Sequence, residues 1–188
     1  MVSMTYYGAK EIASSSRTVR NNTIQIAEDI PEDQYGFQAA PGVRTVRQLL
    51  IHVSNIPKFA FFLHRDHADA KNVEGLDFMS FVNPIMASEQ EPHTKAQILQ
   101  ALRESGDEFV NFVSGLSDDF LGEVVTMMAG GTPPARSRFD MLISIKEHEM
   151  HHRGQLMLIE RLLGITPHLT RQMEERIASM QAAAQAGR

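Results

Sequence analysis

The sequence predicts an all-α protein: a four-helix bundle with a long crossover between its second and third main helices, plus short accessory helices. Three observations carry this. Four long stretches repeat apolar residues at three- and four-residue steps. Three of them open on a hydroxyl residue followed three positions later by a polar partner: Thr45 with Gln48, Thr94 with Gln97, and Ser137 with Asp140. Strand patterning is nearly absent, the one short candidate being Val124-Val125-Thr126-Met127-Met128. Four amphipathic helices bury their stripes most simply against one another.

The first helix is expected over residues 5–29, where Ala13, Val19, Ile24, Ile26 and Ala27 form a loose stripe. Ile30-Pro31 ends it, because the residue before proline is pushed out of the helical region. Pro31, Gly36, Pro41 and Gly42 mark the connector. The second helix starts at the Thr45 cap and carries Val46, Leu49, Val53, Ile56, Ala60 and Leu63. His52 falls at the edge of that stripe, between Leu49 and Ile56. Pro57 removes a backbone donor, which predicts a kink one turn beyond His52, and the helix is expected to end between residues 64 and 69. Residues 70–93 read as the crossover, with a helical turn near 76–82 and breaks at Asn83-Pro84 and Glu91-Pro92.

The third main helix follows Thr94, with Leu99, Leu102, Phe109, Phe112, Val113 and Leu116 on one face. Gly106 in its middle predicts close approach of a neighbour. A further short helix, capped by Ser117, is expected over residues 117–127, and residues 129–135 form a turn-rich loop. The fourth main helix begins after Ser137. Its inward stripe is Met141, Ile145, His148, His152, Leu156, Ile159 and Leu163, and Gly164 and Pro167 close it. Residues 168–183 suggest a terminal accessory helix with Leu169, Met173, Ile177 and Met180. The chain, 1–188, is read as one domain, with 165–188 as accessory helix and tail.

The 188 residues suffice for one sizeable core, and 43% hydrophobic with 22% charged is ordinary globular usage. A net charge of −5 gives no basic field to attract nucleic acid or an anionic membrane. No stretch has the apolar length of a membrane span or of a signal peptide core, so a soluble cytoplasmic protein is expected. The chain has no cysteine, so disulfides, thiolate ligands and a cysteine nucleophile are excluded. Any metal must therefore sit on nitrogen and oxygen.

Three of the eight histidines, His148, His151 and His152, lie within five residues of the fourth helix. Four residues apart on a helix, His148 and His152 share a face, about 6 Å apart along the axis. A lone histidine in an apolar run, such as His52, is ordinarily a hydrogen-bonded core residue. Two more imidazoles on a core face are costly to bury unpaired, and a metal removes that cost. His52, His148 and His152 are therefore the candidate ligands. Three neutral imidazoles suit zinc, nickel or iron and leave an open position for chemistry. His151 is rotated off this face. His64 and His67, near a helix end among Arg65, Asp66 and Asp69, read as a solvated surface. His93 and His168 read as loop or cap residues.

The same letters, His148-Glu149-Met150-His151-His152, also satisfy the zinc-protease pattern in which Glu149 is the general base. That reading requires a downstream ligand from Glu160, His168, Glu174 or Glu175, and a substrate-aligning strand that the sequence does not supply upstream. It stands as an alternative, as does a non-enzymatic, metal-stabilised binding module.

The string His148-x-x-x-His152-Arg153-Gly154-Gln155, with Leu163-Gly164-Ile165 after it, resembles the last bundle helix of the DinB-like superfamily. The run Arg44-Thr-Val-Arg-Gln-Leu-Leu-Ile-His52-Val resembles its second helix. The likeness spans roughly residues 17–164 and implies that His52, His148 and His152 are the family's metal triad. It further implies a divalent metal (zinc or nickel, with iron or manganese as alternatives) and a homodimer. As activity it implies a metal-dependent enzyme on small molecules, of the thiol S-transferase or hydrolase type, with a low-molecular-weight thiol as a partner.

Overall fold

Arg20 sits at the centre of the bundle and touches every helix in it. The structure, a computed structural model, describes residues 7–186. The four main helices are α1 (Ala9–Asp29), α2 (Val46–Phe61), α4 (Lys95–Ser114) and α6 (Arg138–Leu162), with α3 (Phe78–Ser88) in the crossover. A short α5 (Asp118–Gly122) leads into an antiparallel pair, β1 (Val124–Thr126) and β2 (Ala135–Ser137), and α7 (His168–Ala186) follows the last bundle helix. Helices α1 and α2 each pack against both α4 and α6, so α1 and α2 occupy opposite corners.

The predicted caps form. Thr45 Oγ1 accepts from Gln48 N at 3.2 Å while Thr45 N donates to Gln48 Oε1 at 3.0 Å. The Thr94–Gln97 pair does the same, and Ser137 caps α6 through Asp140 N. Gly164 takes a φ of 77°, the left-handed C-terminal position that a side chain would strain. The described part of the first helix starts at Ala9; residues 5 and 6 of its expected span lie outside the described residues.

The core has two apolar ends. One gathers Ile26, Ile30, Val46, Leu50, Ile98, Leu102 and Leu156; the other gathers Ile12, Ala13, Phe61, Phe109, Val113 and Leu142. Between them the Arg20 guanidinium, 5% exposed, pairs with Glu149 of α6 through two 2.9 Å bonds. It also donates to Leu102 O and Ser105 Oγ of α4, both at 2.7 Å, and to Val53 O of α2 at 3.3 Å. Val53 O is the carbonyl that residue 57 would ordinarily bond within the helix. Pro57 has no N–H, so that carbonyl is left for Arg20. Gly106 makes room for the same side chain: a Cβ there would lie 2.7 Å from Arg20 Cγ.

Several sequence expectations need correction. The crossover helix does not stop at Asn83-Pro84 but runs through Pro84 to Ser88. Ser80, four residues earlier, is exposed, so the carbonyl that Pro84 leaves free faces water at little cost. The loop after Met128 returns as β2, and residues 117–127 are a five-residue helix followed by β1 rather than one helix. His64 is not solvated but 3% exposed, because α2 continues as a π-helical segment, Phe62–Asp66, that turns the ring inward. His168 is buried as well, with Nε2 on Asn22 Oδ1 at 3.2 Å.

Candidate metal centre

His52 lies one turn before Pro57 on α2, and His148 and His152 lie on successive turns of α6 where α2 packs against it. The three rings meet through the same atom. Nε2 of His148 is 3.1 Å from Nε2 of His52 and 2.9 Å from Nε2 of His152. All three donor atoms lie within 4.8 Å of one another. His152 is buried, His52 half-buried, and His148 more exposed than its place in the inward stripe predicts, because it borders a cavity rather than the core.

The other edge of two rings is tied down. His52 Nδ1 sits 2.8 Å from Oε1 of Glu89, a 6% exposed residue just past the end of α3. Arg44 Nε donates to the other oxygen of that carboxylate, Glu89 Oε2, at 2.7 Å. His152 Nδ1 is 2.8 Å from Gln155 Oε1, one helical turn on. A carboxylate or amide oxygen can only accept, so each Nδ1 carries the proton and each Nε2 presents a lone pair. Two lone pairs, from His52 and His152, thus point at His148 Nε2, which has at most one proton to share between them.

A divalent cation resolves that conflict and fits the donor set. Nitrogen ligands at zinc-like distances of about 2.0–2.1 Å stand about 3.3 Å apart in a tetrahedral site, near the spacing seen here. The pattern of imidazole, metal-facing Nε2 and Nδ1–H on an oxygen is the usual orientation of histidine ligands. Burial depresses the His152 imidazole to about 4, against the weaker upward pull of Gln155, and also lowers His148. Both rings are therefore neutral, ligand-competent bases at neutral pH.

Glu149 is not at this site. Its carboxylate turns into the bundle onto Arg20, and it is 5% exposed. His151 stands edge-on to the His152 ring, centroids 5.0 Å apart, and its Nε2 accepts from Gln155 Nε2 at 3.2 Å. His93 bonds Ser88 O, and His67 bonds Phe62 O.

A cavity of about 450 Å³ opens on His52 and His148. α2, α3, the β1–β2 hairpin and α6 wall it, and its lining is apolar except for His52, His64, Arg136, Ser144 and His148. A second, more polar groove of about 720 Å³ runs past His152, Glu89 and Arg44 on the opposite side. The triad thus stands between two spaces of different polarity.

Comparison with known proteins agrees with this geometry. Residues 16–156 match the DinB superfamily. The chain belongs to that family. It is 23% identical over 159 residues to YjoA of Bacillus subtilis (strain 168), covering 84% of this chain and 92% of the relative. The crystal structure of the DinB-like YjoA superposes with a TM-score of 0.61 at 20% identity, covering 83% of this chain and 93% of that one. YfiT from Bacillus subtilis superposes at 0.67 with 14% identity, covering 88% and 93%. It is described as "a probable metal-dependent hydrolase with an unusual four-helix bundle topology". At these identities the structural likeness establishes the fold, and the family match establishes the family. No described helix is long and apolar enough to cross a membrane.

Sequence reasoning reached the three imidazoles and missed their supports. Gln155 could have been found, being three residues beyond His152 on one helix face. Glu89 had no local signal, since it meets His52 only through the fold of the crossover.

Proposed function

We propose that this DinB protein is a divalent-metal-dependent enzyme acting on small molecules, with His52, His148 and His152 as the ligands and zinc or nickel as the metal. The observation that carries the reading is the convergence of three Nε2 atoms, two of them fixed as lone-pair donors by Glu89 and Gln155. A divalent ion held there would supply Lewis-acid activation, lowering the pKa of a bound water to about 7 in favourable cases or deprotonating a bound small thiol.

The chain's own groups do the rest. Arg44 orients the Glu89 carboxylate, and Glu89 keeps the His52 proton on Nδ1. Gln155 does the same for His152. The apolar cavity removes water from a substrate brought against His52 and His148, and the polar groove gives a nucleophile a separate approach. The description of YfiT as a metal-dependent hydrolase supports hydrolysis, and thiol transfer is the competing outcome. Glu149, locked onto Arg20, speaks against the zinc-protease alternative.

Elemental analysis of the purified protein beside His52→Ala and His148→Ala tests the site. Near-stoichiometric metal in the wild type, and loss in both variants, is expected. Full retention in both variants overturns the assignment. An esterase, amidase and thiol-transfer screen on the loaded protein then separates the two reactions.

A further inference from the structure

The cavity beside the triad runs back along α6 from His148 to Met141, seven residues, or roughly 10 Å of helix axis. At that far end His64 contributes to the wall. The ring is buried, and Arg138 Nη1 donates to its Nδ1 at 3.2 Å. Arg138 itself is fully buried and pinned by Glu123 and by the carbonyls of Leu63, Ala68 and Ala70, so it cannot swing away. A guanidinium only donates. Nδ1 must then be the bare nitrogen of His64, and Nε2 must carry the hydrogen. Burial and the neighbouring guanidinium hold this imidazole near 4, so it stays neutral at physiological pH. Among the described residues, Nε2 has no hydrogen-bond partner. A neutral N–H with a forced tautomer and no protein acceptor, set in a mainly apolar wall, is a polar group that a ligand can complete.

We propose that the cavity takes a slender, mainly apolar small molecule carrying a hydrogen-bond acceptor at its far end, and that His64 is the specificity residue that reads this acceptor through Nε2–H. Its chemistry is that of an alkyl or single-arene chain with a carbonyl or carboxyl oxygen at one end and the reacting bond at the other. The placing of the reacting bond rests on the proposed metal site; the binding does not. Phe59, Phe62 and Phe78 supply the apolar contact, with Phe62 further stacked on Phe81 at 4.3 Å. Arg136, the cation of the lining, donates from Nε and Nη2 to Asp140 and Ser144 and keeps Nη1 spare, so the test is read at the His64 ring itself, which separates the two donors.

The test compares 4-phenylbutan-2-one with butylbenzene, which matches it in shape but lacks the acceptor, by calorimetric or NMR titration. His64→Leu should lower the ketone-to-hydrocarbon affinity ratio about tenfold, the scale of one satisfied hydrogen bond, while His64→Gln, which keeps a donor, restores most of it. Ser144→Phe fills the cavity from α6 and should weaken both probes at least tenfold with metal content unchanged. His148→Ala should lose metal and keep both probes, which separates failure of the metal reading from failure of this one. In the wild type, the His64 ¹⁵Nε2 resonance should move with the ketone and not with the hydrocarbon, a readout that needs no variant to fold. An unchanged ratio in His64→Leu, no binding of either probe at millimolar concentration, or a ¹⁵Nε2 shift that does not distinguish them overturns the proposal.

Discussion

Replacing Glu149 by Gln tests the central polar layer and the protease alternative together. The substitution keeps the volume and removes the charge opposite Arg20. The guanidinium retains Leu102 O, Ser105 Oγ and Val53 O but loses its counter-ion in a site where both side chains are under 10% exposed. Breaking a buried pair by removing one partner costs about 3–5 kcal/mol, and the amide oxygen of Gln can still accept one bond, so the lower end, about 3 kcal/mol, is expected. That is a large share of a domain's usual total of about 5–15 kcal/mol. Urea denaturation followed by circular dichroism gives the loss as a shift in midpoint at constant slope. Arg20→Met should cost a similar amount. Arg20→Met with Glu149→Leu should cost less than the sum of the single changes by about 2 kcal/mol, because neither charge is then stranded. A loss below about 1 kcal/mol in Glu149→Gln would refute the structural role. Intact stability and metal content with abolished peptide hydrolysis would do so too, and would restore Glu149 as a general base.

Glu89→Gln removes the charge behind His52 and should weaken metal binding about 10- to 100-fold, read by chelator competition; an unchanged affinity would show that Glu89 does not orient the ligand. Gly106→Ala improves helix propensity by about 1 kcal/mol but drives a methyl to 2.7 Å from Arg20 Cγ. Arg20 is too firmly bonded to yield, so a net loss of about 1–2 kcal/mol is expected, and a rise in Tm would contradict that. Glu160 is fully buried with neither carboxylate oxygen bonded, and burial pushes its carboxyl up from 4.5 to about 7. The folded chain therefore holds that proton more tightly than the unfolded one, so stability is full below pH 4.5 and falls as pH rises through 7. The shift corresponds to about 3 kcal/mol. Glu160→Gln should raise Tm at pH 8 and change it little at pH 4.5; an equal effect at both would remove the proton from the account.

The helices whose ends and faces are local matters were legible in the sequence. The Thr45 and Thr94 capping boxes, the Ser137 cap and Gly164 all formed as predicted, since each depends on residues within one turn. His148 and His152 were legible for the same reason. The looseness of the first stripe also has a physical cause: Ser16, Arg20 and Thr23 sit on its buried face, so apolarity alone misses it. Arg20 and Glu149 are 129 residues apart, and Arg138 and His64 are 74 apart. Nothing within a turn of any of them announces the partner, so a charged or polar residue reads as surface until the bundle closes. The likeness to the DinB superfamily pointed to His52 as the third candidate ligand, where the helix pattern alone placed it at the edge of an apolar stripe.

The short helix α3 has a role beyond spanning the bundle end. Phe78, at its first residue, packs on Phe59 and Phe62 and walls the cavity, while Glu89, just past its last, fixes the proton on His52. One strut of three turns thus joins the chamber to the carboxylate that tethers His52. Any insertion, deletion or tilt in it resizes the one and shifts the other together. On the proposed function, substrate range and metal tuning would then be two ends of a lever rather than independent traits, and an engineer who reshapes the chamber through α3 would have to retune His52 in the same step.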